Sequence, residues 1–349
     1  MIPSSRTATK LGVAVAVGAF LRRRAVRELR QSEGTGELPR PRRVSWLSRF
    51  LDPTGGPTDD PPVPPPLPEG RTVTVPGRGE MFYRSCGDPT EGVPVLLLHG
   101  WMASADLNWF LLFEPLGAHH PVVAPDHRGH GRGIRAPHAF TLEDCADDAA
   151  GLLRTLGIEK AIVVGYSMGG PIATLLWRRH PDLVAGLVLQ ATALEWKSAW
   201  WERARWRLMG ILGVLLRWTA GRLLLARIMG QRGDIPAPLA PHRAWLEGEF
   251  RRIEPDDIAE AGRALGEYDA RPFVADIDVP TVVVVTTKDQ LVPPHKQFAL
   301  AQALGAPTLE FPGDHDAALV QAPRFSEITL EAIEAVSPGA EAERRASLV

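Results

Sequence analysis

Thiols are scarce in this chain. Its 349 residues hold two cysteines, Cys86 and Cys145. Two are too few for a disulfide framework, and neither sits in a C-x-x-C or Cys/His spacing. Two reduced, packed thiols are expected. Long apolar runs are also missing. Leu11–Leu21 is eleven residues long, about 16 Å as a helix against a hydrocarbon core of about 30 Å. Arg22, Arg23 and Arg24 follow it, where a secretory cleavage site needs small residues. Neither a membrane span nor a secretory signal is expected. Net charge is small as well: 39 Lys and Arg against 41 Asp and Glu leave −2, so total charge selects no partner.

The charge is unevenly spread. Residues 1–50 carry a net +8 and the remainder −10. A basic tail on an acidic body hints at a surface or partner contact. Residues 1–50 read as a flexible basic tail with a short apolar segment. The alternative is peripheral membrane contact through residues 1–30, apolar side chains dipping in and arginines meeting anionic head groups. No aromatic residue is interleaved from Arg22 to Arg43, so nucleic acid is not an expected partner. "LDPTGGPTDDPPVPPPLPEG", Leu51–Gly70, is too rich in Pro and Gly for a helix or a ladder and reads as a stiff linker. The folded body is expected over 71–336, with a flexible tail at 337–349. The expected location is the cytoplasm, with membrane association as the alternative.

Within the body, strand-like runs alternate with helix-like ones. "RTVTV" and "MFYRSCG" suggest a hairpin. "VPVLLLHG", "HPVVAPD", "KAIVVGYS", "VAGLVLQAT", "VPTVVVV" and "APTLEFP" are short apolar strands of the kind buried on both faces. Helices fall between them. Thr141 three residues before Asp144 suggests a capped start, and Leu142, Cys145, Ala149, Leu152 and Leu156 share a face. This is an α/β pattern: a mostly parallel sheet with helices on both faces. In such sheets ligands bind beyond the carboxyl ends of the strands.

"AIVVGYSMGGP", Ala161–Pro171, sets one serine between glycines at a strand-to-helix seam. Gly165-Tyr166-Ser167-Met168-Gly169 fits a nucleophile elbow, whose glycines make room for a strained central residue. A serine needs a base, and the base an orienter. Asp289 in "TTKDQLVPP" and His315 in "GDHDAA" each follow an apolar strand. The order Ser167, Asp289, His315 is nucleophile, acid, base. Asp314 and Asp316 are rival acids, awkwardly adjacent to the histidine. The oxyanion donors expected are the backbone N–H groups of Met168 and Trp101, the latter in "HGWMAS". His99 reads as a structural hydrogen-bonding residue. His127 and His130 in "DHRGHG" are weighed as metal ligands, but no third ligand is evident. No metal and no cofactor are expected.

"LLLHGW", "DHRGHG", "GYSMGG", "TTKDQLVPP" and "PGDHD" together resemble the α/β-hydrolase superfamily, over Arg71 to Val336. The resemblance implies that fold, the Ser167–Asp289–His315 triad, an oxyanion hole from Trp101 and Met168, and a helical cap inserted at about 195–275. Serine at 167 argues against the superfamily's dehalogenases and epoxide hydrolases, whose nucleophile is aspartate. The chain departs from the pattern in its long tail and in Asp314, where many relatives have a small residue.

The cap tract "EWKSAWWERARWRLMGILGVLLRWTAGRLLLARIMG", Glu195–Gly230, is rich in Trp and Arg; six of the ten tryptophans lie from Trp196 to Trp245. Such pairing suits an interface, so the cap is a second candidate for lipid contact, against a cap packed on its own core. Either way an apolar pocket is expected. The reading is a serine hydrolase cleaving carboxylic esters of lipophilic acyl groups, its partner a small-molecule ester. The alternatives are an acyltransferase or thioesterase using the same triad, and a non-catalytic binding protein on the same fold.

Overall fold

The computed structural model describes residues 62–88, 92–135, 138–197, 202, 237–252 and 255–338. The tail at 1–50, linker residues 51–61, most of the Trp/Arg tract and residues 339–349 lie outside them. Eight strands form one sheet in the order β1-β2-β4-β3-β5-β6-β7-β8. They are β1 Gly70–Val75, β2 Gly79–Cys86, β3 Val95–Leu98, β4 Val122–Pro125, β5 Ala161–Tyr166, β6 Val184–Gln190, β7 Thr281–Thr286 and β8 Thr308–Phe311. β2 runs antiparallel to both β1 and β4; every other pairing is parallel. This is the expected α/β architecture.

The central strands are buried on both faces because their side chains alternate between two apolar layers. Leu96, Leu98, Val163, Leu187, Leu189, Val283 and Val285 enter one layer. Val95, Leu97, Ile162, Val164, Val188, Val282 and Val284 enter the other. Short helices α1 (Ala105–Trp109) and α2 (Phe113–Gly117) follow β3 and cover the second layer through Ala105, Trp109, Phe113 and Leu116. Helices α3 (Leu142–Thr155) and α4 (Gly169–Arg179) cover the first. Thr141 caps α3: its Oγ1 accepts the Asp144 N–H at 3.0 Å and donates to the Asp144 carboxylate at 2.7 Å.

Between β6 and β7 the described residues from Ala237 to Glu267 are mostly helical. A 3₁₀ turn at Ala237–His242 leads into α5 (Arg243–Arg251) and α6 (Pro255–Glu267), and a 3₁₀ turn follows at Val274–Asp276. The two stems of this excursion meet, Glu195 bridging Asp269 and Ala270 N–H donating to Leu194 C=O at 3.0 Å. Trp196 and Trp245 are both buried. The chain then continues through α7 (Pro294–Leu304), α8 (Ala317–Val320) and α9 (Ala322–Val336). Among the described residues no helix is long and apolar enough to cross a membrane.

The linker expectation over 51–70 needs correcting at its end. Pro65 is buried and Leu67 packs against the apolar clusters. The carbonyl of Val63 pairs with His242 Nδ1 at 3.0 Å, and that of Pro68 accepts from Arg84. Proline removes backbone donors but leaves carbonyls to accept, so this stretch holds the body without a ladder.

Candidate active site

Register brings the carboxyl ends of the strands to one edge: Leu98 pairs with Gly165, Tyr166 with Gln190, Gln190 with Val284, and Thr286 with Phe311. The loops beyond that edge carry the predicted residues.

Ser167 follows β5 with φ +54°, a conformation that costs a non-glycine residue about 1–3 kcal/mol. Its surroundings hold it there. Its N–H donates to Gln190 C=O at 2.9 Å, and its C=O accepts from Gly170 N–H at 3.0 Å and Thr192 Oγ1 at 2.8 Å. The flanking glycines are required by contact. A Cβ on Gly165 would fall 2.4 Å from Gly169 O, and one on Gly169 would fall 2.0 Å from Leu98 O. The strand and helix can approach that closely only where neither has a side chain.

His315 follows β8. Its Nε2 lies 3.1 Å from Ser167 Oγ and its Nδ1 lies 2.8 Å from Asp289 Oδ2. A carboxylate only accepts, so Nδ1 donates and Nε2 is left to accept the serine O–H. Asp289 is itself held on both oxygens. Oδ1 accepts the N–H groups of Leu291 at 2.9 Å and Val292 at 2.8 Å; Oδ2 accepts Thr286 Oγ1 at 2.8 Å and Gln297 Nε2 at 3.3 Å. Of the three acids considered, Asp289 faces the imidazole. Asp314 is turned to Gln290 and to the backbone N–H of His315.

The loop after β3 runs beside the serine: a Cβ on Gly100 would lie 3.3 Å from Ser167 Cβ. Gly100 N–H donates to Asn108 Oδ1 at 3.0 Å and Ala103 N–H to Gly100 C=O at 3.3 Å, with Met102 at φ +62°. Trp101 therefore has its backbone near the serine, while its indole Nε1 donates to Ile258 C=O in α6 at 2.9 Å. Met168 is the N-cap residue of α4, at φ −57°, ψ −29°, its side chain fully buried. Its amide stands at a helix N-terminus, where N–H groups have no intrahelical acceptor.

The three loop histidines form a buried cluster. His99 Nδ1 pairs with Gly100 C=O at 2.8 Å and its Nε2 accepts His127 N–H at 3.0 Å. The ring of His127 lies 4.1 Å from that of His99, and that of His130 lies 5.5 Å away. Burial pushes His127 down to about 3 and His130 to about 4, with His99 also well below the imidazole range. All three are neutral at physiological pH. Burial raises Cys86 to about 11 and holds Cys145 well above the ordinary thiol range, so neither thiol is poised as a nucleophile.

Sequence reasoning missed Tyr166, Thr286, Asn108 and Gln297 as site residues. Only Tyr166 carried a signal, its place inside the elbow motif.

A model of the alpha/beta hydrolase fold matches residues 93–322. RutD of Serratia proteamaculans, named as a candidate carbamate hydrolase, is 30% identical over 233 residues, 64% of this chain and 84% of its own. An enol-lactonase from Burkholderia xenovorans LB400 superposes with TM-score 0.59 at 26% identity, over 76% of this chain and 100% of the other. A thermophilic esterase from Thermogutta terrifontis does so with TM-score 0.62 at 25% identity, over 77% and 99%.

Proposed function

The chain belongs to the alpha/beta hydrolase family, and from that footing we propose that it is a serine hydrolase cleaving carboxylic esters of lipophilic acyl groups through an acyl-enzyme. One observation carries the proposal: the unbroken path from Ser167 Oγ through the His315 ring to Asp289, at 3.1 and 2.8 Å. Ser167 Oγ attacks the acyl carbon as His315 Nε2 takes its proton. Asp289 fixes the tautomer and stabilises the imidazolium. The oxyanion is met by the N–H groups of Met168 and Trp101, each such donor being worth about 2.7–4 kcal/mol in the transition state. The alkoxide leaves with the proton held by His315. Water then gives a proton to the imidazole as its oxygen attacks the acyl carbon; the acyl–Oγ bond breaks, His315 returns the proton to Ser167 Oγ, and the acid is released. No step calls for a metal or a cofactor.

The choice of ester is supported by two neighbours whose names give them as an esterase and an enol-lactonase, since a lactone is a cyclic ester. A lipophilic acyl group is favoured by Ala261 and Leu265 of α6, which belong to the apolar cluster that Trp101 packs against. A panel of nitrophenyl esters from C2 to C16, run on the parent and on Ser167→Ala, tests both points. Activity surviving in the variant overturns the nucleophile; preference for acetate overturns the acyl class. Adding an alcohol to the assay separates hydrolysis from acyl transfer by product ratio, and thioesters and carbamates in the same panel test those leaving groups. Peripheral membrane contact, through residues 1–30 or the Trp/Arg-rich cap, is the alternative to a plain flexible tail. Co-sedimentation of the full chain with anionic but not neutral liposomes would support it, and equal recovery from both removes it.

A further inference from the structure

Tyr166 is the residue before the nucleophile, and the mechanism above gives it no task. Its side chain shares a face of β5 with Val164 and Ile162 and enters the second apolar layer. There its ring meets Trp109 edge-on at 6.0 Å and Phe325 edge-on at 5.8 Å, and stands 5.6 Å from the His315 ring. It is only 5% exposed. Nothing in a packed aromatic cluster requires a hydroxyl, and phenylalanine would fill the same space. The hydroxyl does have a partner: it donates to the backbone C=O of His315 at 2.5 Å.

We propose that Tyr166 is the positioning residue of the base, its phenol O–H fixing the main chain of His315 relative to Ser167; this rests on the triad reading given above.

Asp289 orients the imidazole through Nδ1, but that contact sets the ring's rotation and not where the loop stands over the sheet. The loop from Phe311 to Asp316 is tied at its ends and at Asp314: Thr287 N–H to Phe311 C=O at 2.8 Å, Lys288 N–H to Gly313 C=O at 3.0 Å, Ala317 N–H to Asp314 C=O at 3.0 Å, and the Asp314 carboxylate to Gln290 at 2.9 Å and to His315 N–H at 2.7 Å; none of these ties holds the His315 carbonyl. Among the described residues the phenol is the donor that reaches the His315 carbonyl. Tyr166 and Ser167 are consecutive, and the elbow is braced by Gln190 and Thr192. One rigid turn therefore sets nucleophile and base together across 149 positions of chain. Burial raises the phenol's ionisation well above its ordinary range, so it stays a donor at every pH the enzyme would meet.

Tyr166→Phe removes the hydroxyl and keeps the ring. The expected result is a kcat at least about tenfold lower, with KM within about twofold, because an orientation effect acts on the chemical step. Phe325→Leu disturbs the same aromatic cluster without touching the hydroxyl and is expected to leave kcat within about threefold. A second readout needs no substrate. The Nδ1 proton of His315, donated to Asp289, gives a low-field NMR resonance in the parent and is expected to broaden or vanish in Tyr166→Phe. A kcat within twofold of the parent, an unchanged resonance, or an equal loss in Phe325→Leu each overturns the role of Tyr166. If the parent cleaves no ester and Ser167 is not labelled by a fluorophosphonate, the triad reading fails instead, and the resonance still decides whether the phenol holds the loop.

Discussion

Asp314 and Gln290 join the loop that carries His315 to the loop that carries Asp289. Asp314 Oδ1 accepts the backbone N–H of Gln290 and Oδ2 accepts its side-chain amide, each at 2.9 Å, while Oδ1 also takes the His315 N–H at 2.7 Å. The Asp314 carboxylate is engaged by two peptide N–H groups and one side-chain amide. The imidazole is left to Asp289.

This staple lies at the rim, so its energetic worth is modest. Replacing Asp314 or Gln290 with Ala should cost about 0.5–1.5 kcal/mol of stability and lower kcat roughly three- to tenfold. Gln290→Ala breaks only the side-chain amide bond, which Asp314→Ala breaks together with the two backbone N–H bonds, so the double variant should be hardly worse than Asp314→Ala alone. Urea unfolding and steady-state kinetics on the three variants check this. Additive losses would mean that the two residues act independently.

The elbow glycines admit no substitution. The atoms that a Cβ at 165 or 169 would strike are the carbonyl oxygens of Gly169 and Leu98, at 2.4 and 2.0 Å. Backbone cannot step aside as a flexible side chain can. Gly165→Ala and Gly169→Ala should each cost about 3 kcal/mol or more and yield little folded protein. Gly248, within α5, has nothing within 4 Å of a built Cβ. Gly248→Ala should therefore stabilise, by about 0.5–1 kcal/mol. Thermal melts of the three variants read the opposite signs directly.

The contrast between these glycines and Tyr166 tells what a sequence can disclose. The elbow is legible because its geometry is local: strand, serine and helix are consecutive. The sheet is legible because strands buried on both faces must be short apolar runs. The preference for Asp289 over Asp314 rested on sequence as well, since Asp314 adjoins the histidine and is awkwardly placed to hold its far ring nitrogen. Tyr166, Thr286 and Gln297 were not legible as site residues, since each is defined by a partner that folding supplies. Helices α1 and α2, five residues each, are too short for a periodic signal. In the linker, composition rightly excluded regular structure at 62–69 but could not say whether Pro65 and Leu67 would pack. The Trp/Arg tract from 203 to 236 lies outside the described residues. Trp196 and Trp245 at its flanks are buried.

Acid should destabilise the fold through the buried histidines. Folded, His127 protonates only near pH 3 and His130 near pH 4, with His99 well below its ordinary range, because burial disfavours the charged ring. In the unfolded chain each takes a proton near pH 6.5. The stability they contribute is complete above pH 6.5 and is lost as pH falls from there toward 4, at about 1.4 kcal/mol per pH unit for each ring. Asp126 works in the opposite sense. Burial raises it to about 6, so its share is present at low pH and lost as pH rises through 6. Three groups outweigh one, and urea midpoints should fall steadily from pH 7 to 4.5. His130→Gln, whose amide can still donate to the Arg128 carbonyl that His130 Nδ1 meets at 3.0 Å, should flatten the slope by about one histidine's worth. A slope unchanged in that variant rules the cluster out as the cause.

Trp101 ties the loop beside the nucleophile to the helical excursion, and Gly262 sets how closely. The indole donates to Ile258 C=O at 2.9 Å, and a Cβ on Gly262 would lie 2.7 Å from its Cζ2. An indole ring cannot fold out of the way, so Gly262→Ala must move either α6 or Trp101. Helix propensity alone favours the alanine by about 1 kcal/mol, so a loss of activity would run against the local trend and point to the contact. If the Trp101 N–H receives the oxyanion, its displacement should lower kcat roughly three- to thirtyfold and leave KM nearly unchanged, because the donor is needed most where charge develops. Affinity for a boronic-acid transition-state analogue should fall in parallel with kcat/KM. Weaker substrate binding at constant kcat would instead assign Trp101 to the pocket wall, and Met168 would need another partner in the oxyanion hole.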